Sequence, residues 1–133
     1  MASVLSLDVG TKRIGVAIAD TSVTIATPFT TVEVDGTELE TIKKIISDQS
    51  VEKVVVGYPR NQAGDATEQT AISEAFGDKL QDIVEVVYQD ESVTSVAAED
   101  LLIASGKPYS KGDIDSLAAS IILQDYLEIH RAA

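Results

Sequence analysis

The chain has 133 residues, no cysteine, a single histidine and a formal net charge of −12 at pH 7. The absence of cysteine excludes disulfides, thiolate metal sites and a cysteine nucleophile. The single histidine disfavours a His-rich zinc site and a Ser-His-Asp triad. Any catalysis must therefore use carboxylates, hydroxyls or a recruited metal. No apolar run is long enough to cross a membrane, and neither a basic segment nor an apolar signal core follows Met1, so we expect a cytoplasmic protein.

The first third of the chain predicts three strands followed by a helix. Apolar residues over 4–9 predict a short buried strand, and residues 14–18 predict a second strand joined to it by a hairpin. Residues 24–34 are rich in Thr and Val and predict a third strand, in which Pro28 favours an edge or a bulge. Thr37 and Glu40 fit a capping box, which predicts a helix that ends near Ser50.

The rest of the chain alternates strands and helices. Strands are predicted over 53–57 and 83–88, and the apolar triplet at 54–56 is typical of a central strand. Between them, a loop over 58–65 leads into a helix capped by Asp65 and Glu68. Two further helices are predicted over 93–105, with Gly106 as the stop, and over 114–129. This order predicts an α/β fold in one domain over residues 1–133, with a mixed five-stranded sheet of initial antiparallel strands and later parallel βα units, flanked by helices.

Asp8 is the first candidate for a functional side chain. It lies between Leu7 and Val9 in the first predicted strand, where a buried carboxylate is costly without a cation or hydrogen bonds, and where Asp is disfavoured. Gly10, which follows, allows the backbone to turn tightly and to approach a ligand closely. These observations favour a functional role for Asp8 over the alternative that it only accepts hydrogen bonds from the turn.

Two later acidic segments are candidates for the same site. Asp90 and Glu91 follow a predicted strand and would lie at its carboxyl end, where open α/β sheets bind their ligands. Helix capping is a strong alternative for Asp90 and Ser92, and Glu91 is the better candidate to face a metal. Asp115 lies beside the apolar stripe of the last predicted helix, and its spacing fits a first-turn acid and a metal ligand equally well.

Three such carboxylates are suited to phosphodiester hydrolysis. Two Mg²⁺ ions roughly 3.5–4 Å apart can supply a nucleophilic water and stabilise the charge on the phosphorane and the leaving oxygen. Because Mg²⁺ prefers carboxylate oxygens and water as ligands, this chemistry requires neither His nor Cys. We therefore treat Asp8, Glu91 and Asp115 as candidate catalytic and metal-binding residues, with Mg²⁺ or Mn²⁺ as the cofactor.

Four segments, in the same order along the chain, closely resemble the YqgF family of proposed Holliday junction resolvases, which are also described as pre-16S rRNA processing nucleases. The segments are 7–17, which contains Asp-Val-Gly-Thr-Lys-Arg; 55–59 with Gly64; Asp90-Glu91 with Thr94; and 115–127, which opens with Asp-Ser. The resemblance implies an RNase H-like fold, nuclease activity and an acidic metal site carried by Asp8, Glu91 and Asp115. Ser92 departs from the family, which typically has an Arg there that could clamp a phosphate through two hydrogen bonds.

The net charge of −12 is unusual for a protein that binds nucleic acid, because Lys and Arg contacts to phosphate drive that affinity. Five basic residues nevertheless fall in loops predicted near the acidic site: Lys12, Arg13, Arg60, Lys107 and Lys111. We expect Lys12, Arg13, Arg60 and Lys111 to bind the substrate, pre-rRNA or branched DNA. The alternative is that these loops carry charge only because they are exposed.

Two other functions compete with a nuclease. Asp-x-Gly-Thr also begins the phosphate-binding hairpin of ATPases related to actin, hexokinase and Hsp70, but those proteins enclose the nucleotide between two related domains. A non-catalytic protein that binds a ribosome-assembly factor or nucleic acid would fit the acidic charge and Ser92. The sequence does not choose between rRNA and branched DNA as the substrate, or between a monomer and a homodimer.

Overall fold

The computed structural model describes residues 2–10, 12–22, 25–59, 68–91, 101, 103–106 and 111–130. The described strands are β1 (Ser3–Val9), β2 (Arg13–Asp20), β3 (Thr27–Glu33), β4 (Val51–Pro59) and β5 (Glu85–Glu91). The described helices include α1 (Glu38–Asp48), α2 (Glu68–Asp78) and α3 (Lys111–His130), and residues 101 and 103–105 are also helical. None of the helices in these ranges combines the length and the apolar character that a membrane crossing requires.

The five strands form one mixed sheet in the order β3-β2-β1-β4-β5. The hairpin strands pair antiparallel, β1 with β2 and β2 with β3, whereas β4 pairs parallel with both β1 and β5. The parallel pairs follow from the helical crossovers, because a helix between two strands returns the chain to the same end of the sheet. The sheet confirms the predicted α/β architecture of antiparallel strands followed by parallel βα units.

The sheet is covered by helices on both faces, and alternate residues of each strand enter different cores. Leu5 and Leu7 of β1 pack in the core on the side of α1 and α2, whereas Val4 packs on the other side with Ala119 and Leu123 of α3. The same alternation holds in β4 and β2. Each strand therefore has one set of side chains that faces α3. The candidate site lies on this face of the sheet.

The N-terminus of α1 differs from the predicted capping box. Thr37 is the N-cap residue, but its side chain makes no capping hydrogen bond. The Asp35 side chain instead accepts hydrogen bonds from the Thr37 backbone N–H at 2.9 Å and from the Thr37 hydroxyl at 2.6 Å. The capping-box prediction is therefore wrong, because a turn formed by Asp35 competes for the Thr37 side chain. The helix ends at Asp48, and Ser50 has a φ of 53°, which turns the chain into β4.

Other element boundaries shift by a few residues. β4 continues beyond the predicted 53–57 to Pro59, because β5 pairs with it as far as Pro59 and Glu91. Ile83, predicted to lie in β5, is in a turn and half exposed. α3 begins at Lys111, three residues before the predicted start. The predicted cap at Asp65 and most of the helix predicted over 93–105 lie outside the described residues.

Candidate active site

Asp8 lies on the face of the sheet that α3 covers. Its neighbours Leu7 and Val9 both belong to the core on the opposite face. Ser6, two residues before Asp8, donates a hydrogen bond from its hydroxyl to the Ala119 carbonyl oxygen of α3, at 2.6 Å. Because side chains alternate along a strand, Asp8 shares the α3 face with Ser6. Asp8 is partly buried and comes one residue before the carboxyl end of β1.

Gly15 brings α3 against the strand position opposite Asp8. Asp8 pairs with Gly15 between β1 and β2. A Cβ atom placed on Gly15 would overlap the Asp115 backbone carbonyl and would lie 2.9 Å from the Ser116 nitrogen. Only glycine leaves room for a helix backbone to approach a strand this closely. The structure therefore brings Asp115 of the last helix to the same place on the sheet as Asp8 of the first strand.

Two further contacts fix the position of α3 along the sheet. The Thr31 hydroxyl of β3 donates a hydrogen bond to the Gly112 carbonyl oxygen in the first turn of the helix, at 2.6 Å. Further along α3, the Gln124 side-chain oxygen accepts a hydrogen bond from the Ala26 backbone N–H, at 2.9 Å. With the Ser6 contact between them, these bonds attach the helix to β1, to β3 and to the residue just before β3. The helix is thereby held in a register that keeps Asp115 over Gly15.

Arg13 and Asp115 form an ion pair at this place. The Arg13 Nε donates a hydrogen bond to Asp115 Oδ2 at 2.6 Å, and the two side chains are only 28% and 21% exposed. The hydrogen bond to Asp115 and the charge of its carboxylate raise the pKa of Arg13 above its ordinary value, and the negative charge of Glu33 adds to this shift. A carboxylate and a guanidinium are thus held together beside the position of Asp8.

The other predicted site residues are placed only in part. Glu91 is the last residue of β5 and pairs with Pro59 of β4, at the carboxyl end of these parallel strands; its side chain is outside the description. Lys12 is exposed in the turn after β1, where its carbonyl oxygen accepts a hydrogen bond from the Val34 N–H. Lys111 is the first residue of α3, again without a described side chain, and Arg60 and Lys107 lie outside the described residues.

The structure therefore places Asp8 and the ion pair of Arg13 and Asp115 at neighbouring positions on one face of the sheet. Within the described part of the chain, no three His, Cys, Asp or Glu side chains form a group able to hold a metal ion. Two residues that shape the site, Ser6 and Gly15, were not singled out from the sequence for this role. Gly15 did give a signal, because a lone glycine inside a strand indicates a close backbone approach.

Two solved structures with a similar fold were determined with Holliday junction DNA. The chain matches RuvC of T. thermophilus, solved in complex with a Holliday junction substrate, with a TM-score of 0.55 and 14% identity over 98% of this chain and 96% of that one. It matches the Fowlpox virus resolvase, solved with Holliday junction DNA, with a TM-score of 0.55 and 16% identity over 96% and 97% of the two chains. At this identity the likeness concerns the fold, and it confirms the RNase H-like architecture.

Sequence relatives cover nearly the whole chain. A protein of Chloroflexus aurantiacus named "Putative pre-16S rRNA nuclease" is 42% identical over 97% of this chain and 88% of its own length. A protein of the same name from Caldanaerobacter subterraneus is 45% identical over 94% of this chain and 95% of its own. The family model described as "RuvX: Holliday junction resolvase" matches residues 2–129. The chain therefore belongs to the RuvX family of Holliday junction resolvases, for which YqgF is the other name.

Proposed function

We propose that this protein is a divalent-metal-dependent nuclease that hydrolyses phosphodiester bonds in the cytoplasm. The observation that supports this most is that the backbone of Asp115 packs against Gly15, the strand residue paired with Asp8. The two residues are 107 positions apart in the chain, and α3 is held in register by hydrogen bonds from two strands.

The donor chemistry of the site fits a hard divalent cation. Asp8 and Asp115 would hold Mg²⁺ or Mn²⁺ through carboxylate oxygens, which both ions prefer as ligands, and Glu91 at the end of β5 would be the third carboxylate. When bound, such an ion lowers the pKa of a coordinated water and neutralises charge that develops on the phosphate. We propose that these three residues are the catalytic and metal-binding residues of the chain.

The basic residues would place the nucleic acid over this site. Arg13 lies at the site itself and Lys12 is exposed beside it, and we propose that Arg60 and Lys111 also contact the substrate. Contacts from Lys and Arg to phosphates orient a nucleic acid without reading its sequence. Because the whole chain carries a net charge of −12, this binding should be weak and strongly dependent on salt.

For the substrate, we propose the 5′ end of pre-16S rRNA, branched DNA, or both. The sequence relatives are named for pre-16S rRNA, whereas the family description and the two structural neighbours concern Holliday junctions. A second candidate function is a weakly active or inactive binding protein in ribosome assembly. It is supported by Ser92, which stands at the position of the family's usual Arg and lies outside the described residues.

A cleavage assay with purified protein tests these proposals. A precursor of 16S rRNA and a four-way DNA junction would be incubated side by side with Mn²⁺, with EDTA, and with EDTA followed by excess Mn²⁺. We expect cleavage of at least one substrate, its loss with EDTA and its return with Mn²⁺. Cleavage that EDTA does not affect would contradict metal dependence. Binding of nucleic acid without cleavage under any condition would favour the binding protein over the nuclease.

A further inference from the structure

The contact between Arg13 and Asp115 engages a carboxylate that the proposed metal site needs. The guanidinium meets one oxygen of Asp115 through Nε at 2.6 Å, and both side chains are more than 70% shielded from solvent. A carboxylate has about four lone-pair positions, so a second partner can still reach Asp115. That partner, if it is a divalent cation, must bind beside a fixed positive charge.

The backbone of Arg13 is fixed beside Asp115 by the first hairpin. It is the first residue of β2, and its backbone carbonyl oxygen accepts a hydrogen bond from the Gly10 N–H that closes the hairpin. Glu33, its partner across β2 and β3, adds a second negative charge next to the guanidinium. Because arginine stays protonated at any physiological pH, the positive charge at this position is permanent.

Arg13 and a divalent cation bound at Asp115 would therefore repel each other. A double and a single positive charge a few ångströms apart, in partly solvated surroundings, repel strongly enough to weaken cation binding on the order of tenfold. An opposite effect is also known, since a residue that only orients a ligating carboxylate strengthens metal binding, and its loss weakens binding by about 10–100-fold. The charge and the shielding of the pair favour repulsion.

We propose that Arg13 acts through Asp115: its guanidinium is the resident counter-ion of the Asp115 carboxylate and thereby lowers the affinity of the site for divalent cations. This inference rests on the proposed metal-dependent function. It differs from a role in substrate binding alone, because it assigns Arg13 an effect on the metal before any nucleic acid is present. It also explains why a protein with excess negative charge has the positively charged side chain of Arg13 inside its acidic site.

Binding of Mn²⁺ to the full-length protein without nucleic acid tests this inference, with electron paramagnetic resonance reporting free Mn²⁺. We expect Arg13→Met to bind Mn²⁺ on the order of tenfold more tightly than the wild type, and Arg13→Lys, which keeps the charge, to stay within about threefold of it. Lys43→Met is the matched control, because it removes one exposed positive charge from α1, on the other face of the sheet. It should leave the affinity unchanged.

The possible results separate the two proposals. Circular dichroism and the melting temperature would show whether Arg13→Met is folded. If the folded variant binds Mn²⁺ as tightly as the wild type or more weakly, the counter-ion role alone is overturned. Equal tightening by Lys43→Met would overturn it too, since overall charge would then explain the effect. Absence of Mn²⁺ binding by the wild type and by all three variants would overturn the metal site itself and, with it, the role of Arg13.

Discussion

Replacement of Gly15 by Ala tests how the fold builds the site. The added Cβ would overlap the Asp115 carbonyl and lie 2.9 Å from the Ser116 nitrogen, so it meets helix backbone instead of a side chain that could rotate away. Because non-bonded carbon and oxygen atoms pack at about 3.5 Å, α3 must retreat from β2 by about 1 Å or more. This movement would carry Asp115 away from the strand position opposite Asp8.

The retreat should affect both stability and activity. Overpacking of this kind costs about 1–3 kcal/mol of unfolding free energy, which urea denaturation would measure. A misplacement of about 1 Å at a reacting centre can lower the rate by about 10²-fold, and we expect such a loss in Mn²⁺-dependent cleavage by the folded protein. The cleavage assay must be run well below the melting temperature of the variant, so that the two effects stay separate.

Gly77→Ala is the matched control for this substitution. Its Cβ would lie 2.5 Å from the Tyr88 hydroxyl oxygen, a crowded contact on the other side of the sheet, where Tyr88 packs against the core of α1 and α2. The end of a side chain can shift, so we expect a change in stability with cleavage close to that of the wild type. Wild-type stability and cleavage in Gly15→Ala would refute the close approach of α3. Equal loss of cleavage in both variants would show that overpacking anywhere disables the protein.

Three other predictions concern stability, pH and substrate binding. Ser6→Ala should lower the unfolding free energy by about 1 kcal/mol in urea denaturation, because a fully buried hydroxyl loses its bond to the Ala119 carbonyl; an unchanged midpoint would argue against that bond. Hydrogen bonds from the Thr37 hydroxyl and N–H lower the pKa of Asp35. The ionised Asp35 carboxylate therefore stabilises the folded protein at pH values above the ordinary carboxyl pKa, and this contribution disappears as the pH falls through the lowered value. Asp35→Ala should therefore be less stable than the wild type at pH 7 and equal to it in strong acid, and a difference independent of pH would contradict this. Ser92→Arg should tighten nucleic-acid binding and steepen its salt dependence by about one phosphate contact, whereas an unchanged slope would mean that another residue has that role.

Local patterns were enough to predict the sheet and most of its elements. The alternation in the first hairpin, the apolar triplet Val54–Val56 and the order of strands and helices determine the architecture, because they decide which segments must be buried and how they connect. The boundaries were predicted less well. The capping box at Thr37 failed because the Asp35 side chain offered the same hydroxyl a closer partner, and such a competition between neighbours cannot be resolved from residue types alone.

Of the candidate site, only the carboxylates could be predicted from the sequence. Asp8 is conspicuous because an acid between apolar residues of a strand needs a reason, whereas the spacing of Asp115 left its role open until the family resemblance was considered. The ion pair of Arg13 with Asp115 could not be predicted, since the two partners are 102 positions apart and no local pattern links them. It depends on Gly15, which allows the helix to come close enough for the pair to form.

The central claim is that Asp8 belongs to a metal-dependent nuclease site, and Asp8→Asn tests it most directly. The measurement is the rate of Mn²⁺-dependent cleavage of pre-16S rRNA and of a four-way junction by the wild type and the variant, each checked for folding by thermal melting. We predict that cleavage is lost while the melting temperature is unchanged or slightly raised, because the substitution removes repulsion between carboxylates. Cleavage at the wild-type rate by Asp8→Asn would contradict the claim, and unfolding of the variant would assign Asp8 a structural role instead.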